Sequence, residues 1–379
     1  MGMAYFDNSA TTAVCEASVA RMMRVMTEVY GNPSSLHTMG VRAEQEVAQA
    51  RAEVAALMGA KPEQITFTGS GTEANNLAIL GTAAALRRRP PVAVTTAVEH
   101  PSVAACFDEL EHQGWTVTRV KPAADGTISP ERLAAACTAD TTLVSVMAVN
   151  NETGARFDIP AMVDAVKERA PQAVFHTDCV QAAGKLLLKA ERWGVDLMSV
   201  SAHKLHGPKG CGALYVRKGV RLLPRMLGGG QEKGLRSGTE AVPAIVGFGA
   251  AAAAVPSVDA QQAHYTVLRE TLIAELQTLP EVRWHLPPGG VPYIVHLSIP
   301  GIRSETLLHF LAAREIYVSS GSACSKGQHS AVLEAMGLPA AEIDSSLRIS
   351  FCYQNTEDEV RALAQALRDA AATLQRRRT

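Results

Sequence analysis

A lysine that closes a buried strand is costly unless its amine is used, and Lys204 stands in such a place. The stretch from Met198 to Gly210, MSVSAHKLHGPKG, runs apolar residues into Ser-Ala-His-Lys and then into glycine and proline. An amine there can form a Schiff base with a carbonyl, of a substrate or of pyridoxal phosphate (PLP). The structural alternative is a snorkelling lysine at a strand end. Asp178 ends the run AVFHTD, 26 residues before Lys204. A carboxylate at a buried strand end needs a cationic partner. A protonated pyridine nitrogen is one, and PLP enzymes use that pairing to make the ring an electron sink. An Asp that merely caps a turn is the alternative. His100 follows VAVTTAVE; it could stack on a flat ring or move protons, although a lone histidine is often structural.

Other stretches carry weaker chemistry. GSGTEANN at 69–76 follows a strand-like run and opens a helix-like one. Its glycines let the backbone approach an anion, and Thr72 can donate a hydroxyl at the helix N-terminus. With no Walker lysine and no G-x-G-x-x-G, ordinary nucleotide binding is unsupported. Arg348, in SLRISF, could clamp a carboxylate bidentately or form a surface ion pair. Cys324, in SSGSACSKGQHS, is set among Gly, Ser and Lys with no apolar neighbour but Ala323. An exposed thiol near cations is a candidate reactive thiolate.

The elements that must position these residues follow from pattern. Short apolar or β-branched runs at 65–68, 92–96, 116–120, 143–147, 174–177, 197–201 and 213–216 read as strands. Helix-like runs lie near 101–113, 130–137 and 159–167 between them. Such alternation predicts an α/β fold with a mostly parallel sheet covered on both faces. Ligands on these sheets bind beyond the carboxyl ends of the strands, where Lys204, Asp178 and His100 fall. Residues 16–29 place Val19, Met22, Met23, Met26 and Val29 at helical spacing, read as core. A second helix is predicted near 41–58 and a small-residue helix over 247–255. After a long helix at about 257–279, strands at 293–298, 317–319 and 347–351 with helices between them predict a smaller α+β domain.

Composition narrows the class. The chain has 379 residues, long enough for two domains. With 47% hydrophobic and 19% charged residues it reads as globular and soluble. A net charge of -1 gives no nucleic-acid footprint. The longest apolar run is too short to span a bilayer, and MGMAYFDNSATT shows no signal peptide. Seven cysteines without a C-x-x-C pair argue against a disulfide framework or a zinc ribbon. A reducing cytoplasm is the expected compartment. Most of the seven read as small buried hydrophobes. Arg376, Arg377 and Arg378 read as a solvated helix end.

Taken together, YFDNSATT at 5–12, VNNETG at 149–154, HTDCVQAAGK at 176–185, SAHKLHGPKG, GLRSGTE and SSGSACS resemble, in family order and nearly end to end, the NifS/IscS-type cysteine desulfurases. These belong to the class V aminotransferase group of fold-type I PLP enzymes. The resemblance implies a large domain over 15–256 with a mostly parallel seven-stranded sheet covered by helices. It implies a smaller α+β domain from 1–14 and 257–379 that carries the cysteine loop.

By position, the resemblance makes Lys204 the Schiff-base lysine and pairs Asp178 with the pyridine nitrogen. His100 stacks on the ring, and Asn151 and Gln181 bond its oxygen side. Gly71, Thr72, Ser201 and His203 hold the phosphate, together with Thr239 from the partner subunit of a homodimer. Asn32 and Arg348 hold the substrate carboxylate. Cys324 receives sulfur from L-cysteine as a persulfide, for a sulfur-acceptor protein that is an iron–sulfur scaffold or a tRNA-thiolating enzyme. Cys179 stands where alanine is usual and Cys352 where glycine is usual; neither removes a catalytic group. The segment after Cys324 is short beside the housekeeping iron–sulfur type, so the acceptor stays open. The rival activities are selenocysteine lyase and class V aminotransferase. Transamination needs no loop cysteine, so Cys324 speaks against it. Intact Lys204, Asp178 and His100 speak against a non-enzymatic sulfur-relay scaffold.

Overall fold

The structure, a computed structural model, describes residues 2–320 and 329–374. The first strand is β1 (Ala4–Tyr5). It is followed by β2 (Ile65–Thr68), β3 (Val92–Thr96), β4 (Thr116–Val120), β5 (Leu143–Ser145), β6 (Val174–Asp178), β7 (Leu197–Ser201) and β8 (Gly212–Val216). All but β1 form one seven-stranded sheet in the order β2-β8-β7-β6-β5-β3-β4. β8 runs antiparallel to both neighbours and the remaining pairs are parallel, as the alternating pattern predicts. All five residues of β7 are buried, Ser199 and Ser201 included, because the strand is covered on both faces.

Helices leave the carboxyl ends of the strands with capping chemistry already in place. α1 (Glu16–Thr27) and α2 (Thr38–Met58) precede the sheet, and α3 (Gly71–Ala85) and α4 (Pro101–His112) follow β2 and β3. Ser70 caps α3 by accepting from the Glu73 N–H. His100 caps α4 by accepting from the Ser102 N–H, with Pro101 in the first turn; both caps satisfy amides that a helix start leaves open. The small-residue helix spans Val242–Ala254 and so begins before Gly247, since Pro243 suits a first turn. A Cβ on Gly249 would lie 2.6 Å from Ala50 Cα, so glycine is what lets this helix press on α2.

The core assignment on α1 needs correction. Val19, Met23 and Met26 are 47%, 53% and 53% exposed, whereas Val25 and Val29 are buried. Ser18, Met22, Val25 and Val29 form the inward stripe, with Met22 against Gly247. Val19, Met23, Met26 and Tyr30 form a second stripe, one residue round, that faces out. Both stripes have helical spacing, and spacing alone does not say which one is covered.

The C-terminal strands are β9 (Arg283–Trp284), β10 (Ile294–Ser298), β11 (Ile316–Tyr317), β12 (Ser319–Ser320) and β13 (Ser346–Ser350). β12-β13-β10-β9 form an antiparallel sheet. The run read as one strand over 317–319 is two, because β11 pairs in parallel with β1 while β12 pairs with β13. The amino-terminal segment is sewn into this region: Ala4 N donates to Glu315 O at 2.9 Å and Ser350 N donates to Phe6 O at 2.7 Å. Phe6 and Phe351, both fully buried, meet edge to face at 5.9 Å. Among the described residues no single helix is long and apolar enough to cross a membrane. Arg376–Arg378 lie outside the described residues.

Candidate active site

β6 and β7 are neighbours, and their carboxyl ends bring Asp178 and Lys204 to one edge of the sheet. Lys204 closes a 3-10 turn, Ala202–Lys204, directly after β7. Its Nζ donates to the carbonyls of Ser9 at 2.6 Å and Ala10 at 2.7 Å. These two backbone oxygens hold the amine at the strand end. Asp178 is 5% exposed. It accepts from Asn75 Nδ2 at 2.7 Å and from Val180 N at 2.9 Å.

His100 is joined to Asp178 by a chain of hydrogen bonds. Asn75, 1% exposed, donates one amide hydrogen to Asp178 and directs the other to Ser102 Oγ at 2.9 Å. Ser102 Oγ stands 2.7 Å from His100 Nδ1, which also accepts from Ser102 N at 3.1 Å. Nδ1 is therefore an acceptor, and the proton of the neutral ring resides on Nε2. Burial pushes the pKa of His100 down; Asp178 opposes this and Lys204 adds to it. His100, Asp178 and Lys204 are within electrostatic reach of one another, as the strand-end reading expects.

The remaining predicted residues divide into two sets. Gly71, the first residue of α3, packs on the end of β7: a Cβ there would lie 2.9 Å from Val180 Cγ2 and 3.2 Å from Ser201 Cβ. Thr72 is exposed in the same turn, and Ser201 is buried. His203 Nδ1 is 3.2 Å from Thr11 Oγ1; burial, then Lys204, Lys209 and Lys185, push its pKa down to about 4. Gln181 is 5% exposed and donates to Ser9 O at 3.0 Å, the carbonyl that Lys204 also uses. These residues gather around the Asp178–Lys204 edge. Arg348, on β13, is not at the surface: it is 8% exposed, donates to Asp7 Oδ1 at 2.8 Å and to Asn151 O at 3.0 Å, and its Nε has no partner. Asn32 is exposed, its Oδ1 taken by Ser34 N at 2.9 Å. Thr239 is exposed in the loop before the Val242 helix. No hydrogen bond or ion pair among the described residues ties either of these two to Lys204. Cys324 lies outside the described residues.

Several participants escaped the sequence reading. Asn75 and Ser102 are polar residues buried near the starts of α3 and α4, and nothing in the sequence pairs them. The Ser9 and Ala10 carbonyls carry no signal. Lys185, in HTDCVQAAGK, is 4% exposed with Nζ 5.1 Å over the Tyr293 ring. Burial, with Lys204 adding to it, pushes its amine down to about 7.

PLP fits these residues on three observations. Asp178 is a buried carboxylate with neutral donors and no ion pair among the described residues, which suits a protonated ring nitrogen. Gln181 Oε1 is buried without a partner. The N-terminus of α3, opened by Gly71, points amides to the same edge, where a helix takes phosphate. A sequence profile described as Aminotransferase class-V matches residues 4–363. The chain is 42% identical over 363 residues to a NifS/IcsS protein homolog of Lactobacillus delbrueckii subsp. bulgaricus, covering 94% of each. It is 41% identical over 367 residues to a cysteine desulfurase of Nostoc sp., covering 95% of this chain and 90% of that one. A solved NifS-like protein superposes with a TM-score of 0.93 at 36% identity, covering 98% of this chain and 100% of that one. By profile, identity and fold, the chain belongs to the class V aminotransferase family of PLP-dependent enzymes, within its NifS/IscS-type cysteine desulfurase branch.

Proposed function

We propose that the protein converts L-cysteine to L-alanine and keeps the sulfur on Cys324 as a persulfide. A second protein, in iron–sulfur cluster assembly or tRNA thiolation, then takes the sulfur. The observation that carries this reading is Asp178: a buried carboxylate with no ion pair among the described residues, at the strand end beside Lys204 and bonded through Asn75 and Ser102 to His100. Bound among these residues, PLP supplies the electron sink that a carbanion at the substrate Cα requires.

The chain's own groups do the rest. Lys204 would hold the cofactor through its amine, and that amine is the base placed to take the proton from the substrate Cα. Asp178 keeps positive charge on the ring nitrogen. His100, neutral because it is buried, stacks on the ring and moves protons through Nε2. Gly71, Thr72, Ser201 and His203 hold the phosphate. His203 is neutral at pH 7 and offers Nε2 to the phosphate, since Nδ1 faces Thr11. Asn151 and Gln181 bond the ring's oxygen side. Arg348 and Asn32 take the substrate carboxylate, for which the unpartnered Arg348 Nε supplies a donor. The Cys324 thiolate attacks the substrate sulfur. The S–S bond forms as the C–S bond breaks, and the carbon keeps the electron pair and gains a proton. The enzyme is then a homodimer, with Thr239 reaching the partner's phosphate. The outward stripe of Val19, Met23 and Met26, with Leu36 at 99% exposure, supports such an interface. The division into residues 15–256 and 1–14 with 257–379 is part of the same proposal.

Replacing Cys324 with serine in the PLP-loaded protein tests this. The variant should keep its visible PLP absorbance and its spectral response to cysteine. It should lose alanine release by at least about a hundredfold, the scale for removing a nucleophile. Undiminished alanine release would overturn the mechanism.

A further inference from the structure

Consecutive residues of one turn bind three separate parts of this site. The turn 150–154 is closed by Gly154, whose φ of +75° suits glycine, and by the Asn150 side chain. Asn150 Oδ1 accepts from Glu152 N at 3.0 Å and Thr153 N at 2.9 Å. Asn150 Nδ2 donates to Val98 O at 2.9 Å, two residues before His100. Asn151 O accepts from Arg348 at 3.0 Å. Glu152 Oε2 accepts from Ser330 Oγ at 2.5 Å. The Ser330 hydroxyl also accepts from Leu333 N at 3.2 Å, capping the helix Ala331–Ala335. With the helix amide feeding its oxygen, the hydroxyl hydrogen is left to point at Glu152.

Ser330 lies six residues after Cys324. Six residues reach no farther than about 20 Å even fully extended, so whatever fixes Ser330 bounds where the thiol can be delivered. We propose that Glu152 is a positioning residue for the sulfur-transfer step. It holds Ser330, the C-terminal root of the segment that bears Cys324, on the same turn that engages Arg348 and the His100 loop. This rests on the reading of Cys324 as the sulfur nucleophile. A misplacement of about 1 Å can cost a reaction on the order of a hundredfold, so a single anchor of this kind is enough to matter. Glu152 also stands within electrostatic reach of Arg348, and the rival role, tuning the carboxylate clamp, would register in substrate binding.

The test compares Glu152→Ala, Ser330→Ala, their double variant, Glu152→Gln and Cys324→Ser as PLP-loaded enzymes, measuring alanine release from L-cysteine. Glu152→Ala and Ser330→Ala should each lower kcat by about 10- to 100-fold. KM, PLP absorbance and the spectral response to cysteine should be unchanged. The double variant should be no worse than the poorer single one, because both remove the same bond. Glu152→Gln keeps an acceptor oxygen for Ser330 and should restore most of kcat. If Glu152→Ala does not fold, Ser330→Ala removes the bond from the other side. A loss confined to KM would move Glu152 to the Arg348 clamp and overturn the inference, as would unchanged kcat or additive losses in the double variant. A Cys324→Ser enzyme that still releases alanine would remove the functional reading itself. A dead Cys324→Ser beside an unaffected Glu152→Ala would remove the inference alone.

Discussion

Glu99→Gln should make the protein progressively more stable than the wild type as pH rises from 5 to 8. Glu99 is 7% exposed. Its Oε1 accepts from Thr96 Oγ1 at 2.7 Å and from Met147 N at 3.0 Å, and its Oε2 is buried without a partner. Burial pushes the carboxyl from an ordinary 4.5 up to about 8; the two hydrogen bonds oppose this and Asp178 adds to it. The folded pKa thus lies above the unfolded one, so Glu99 favours folding at low pH and that contribution is lost as pH rises toward 8. Linkage sets the loss at roughly 1.4 kcal/mol per pH unit between the two values, or about 3 kcal/mol by pH 7. Glutamine keeps the carbonyl that serves Thr96 and Met147 and cannot ionise. Its NH2 group meets the unpartnered position of Oε2, a penalty of about 1–3 kcal/mol that does not vary with pH. The slope is therefore the signature. Urea midpoints of both proteins, PLP-loaded and at constant salt, should diverge by roughly 3 kcal/mol between pH 5 and 8. Parallel curves over that range would refute the claim that Glu99 is buried as a neutral acid.

Asn75→Ala removes the amide that donates to Asp178 and Ser102; a bond to a charged group contributes about 1.5–3 kcal/mol, so kcat/KM for cysteine should fall about 10- to 100-fold, and an unchanged value would release Asn75 from any role in holding Asp178. His176 and His296 are fully buried, and burial pushes both down to about 3, with His285 and Arg348 adding to the shift at His296. Their folded pKa lies below the unfolded 6.5, so stability is lost as pH falls below 6.5. In the Glu99→Gln background, His296→Leu should reduce that acid slope by about 1.4 kcal/mol per pH unit, and an unaltered slope would contradict a neutral buried His296.

How far the site could be read in advance depended on what kind of group supplied it. Lys204 and Asp178 stand out as charged residues at the ends of buried strands and His100 as a histidine that follows a third; their proposed roles come from the resemblance, and the fold brings the three to one edge of the sheet. Arg348 was visible as a type but not in its setting: SLRISF gives no hint that Asp7, far back in the sequence, pairs with it. Asn75 and Ser102 carry the bond between Asp178 and His100, yet nothing in either stretch points to the other, and only the packing of α3 on α4 makes them neighbours. The Ser9 and Ala10 carbonyls that hold Lys204 have no side-chain signature, and β1, two residues long, was below any periodicity. The same limit explains α1. Val19, Met23 and Met26 repeat at the helical period just as Ser18, Met22 and Val25 do, and choosing between the stripes requires knowing where the Val242–Ala254 helix lies. Glu152 shows the limit most sharply. In VNNETG it reads as a turn carboxylate, and only the fold brings Ser330 to it across 178 residues. A chemical role carried by residue type and local burial can be inferred from one stretch; a role that consists in joining two distant stretches belongs to the fold that brings them together.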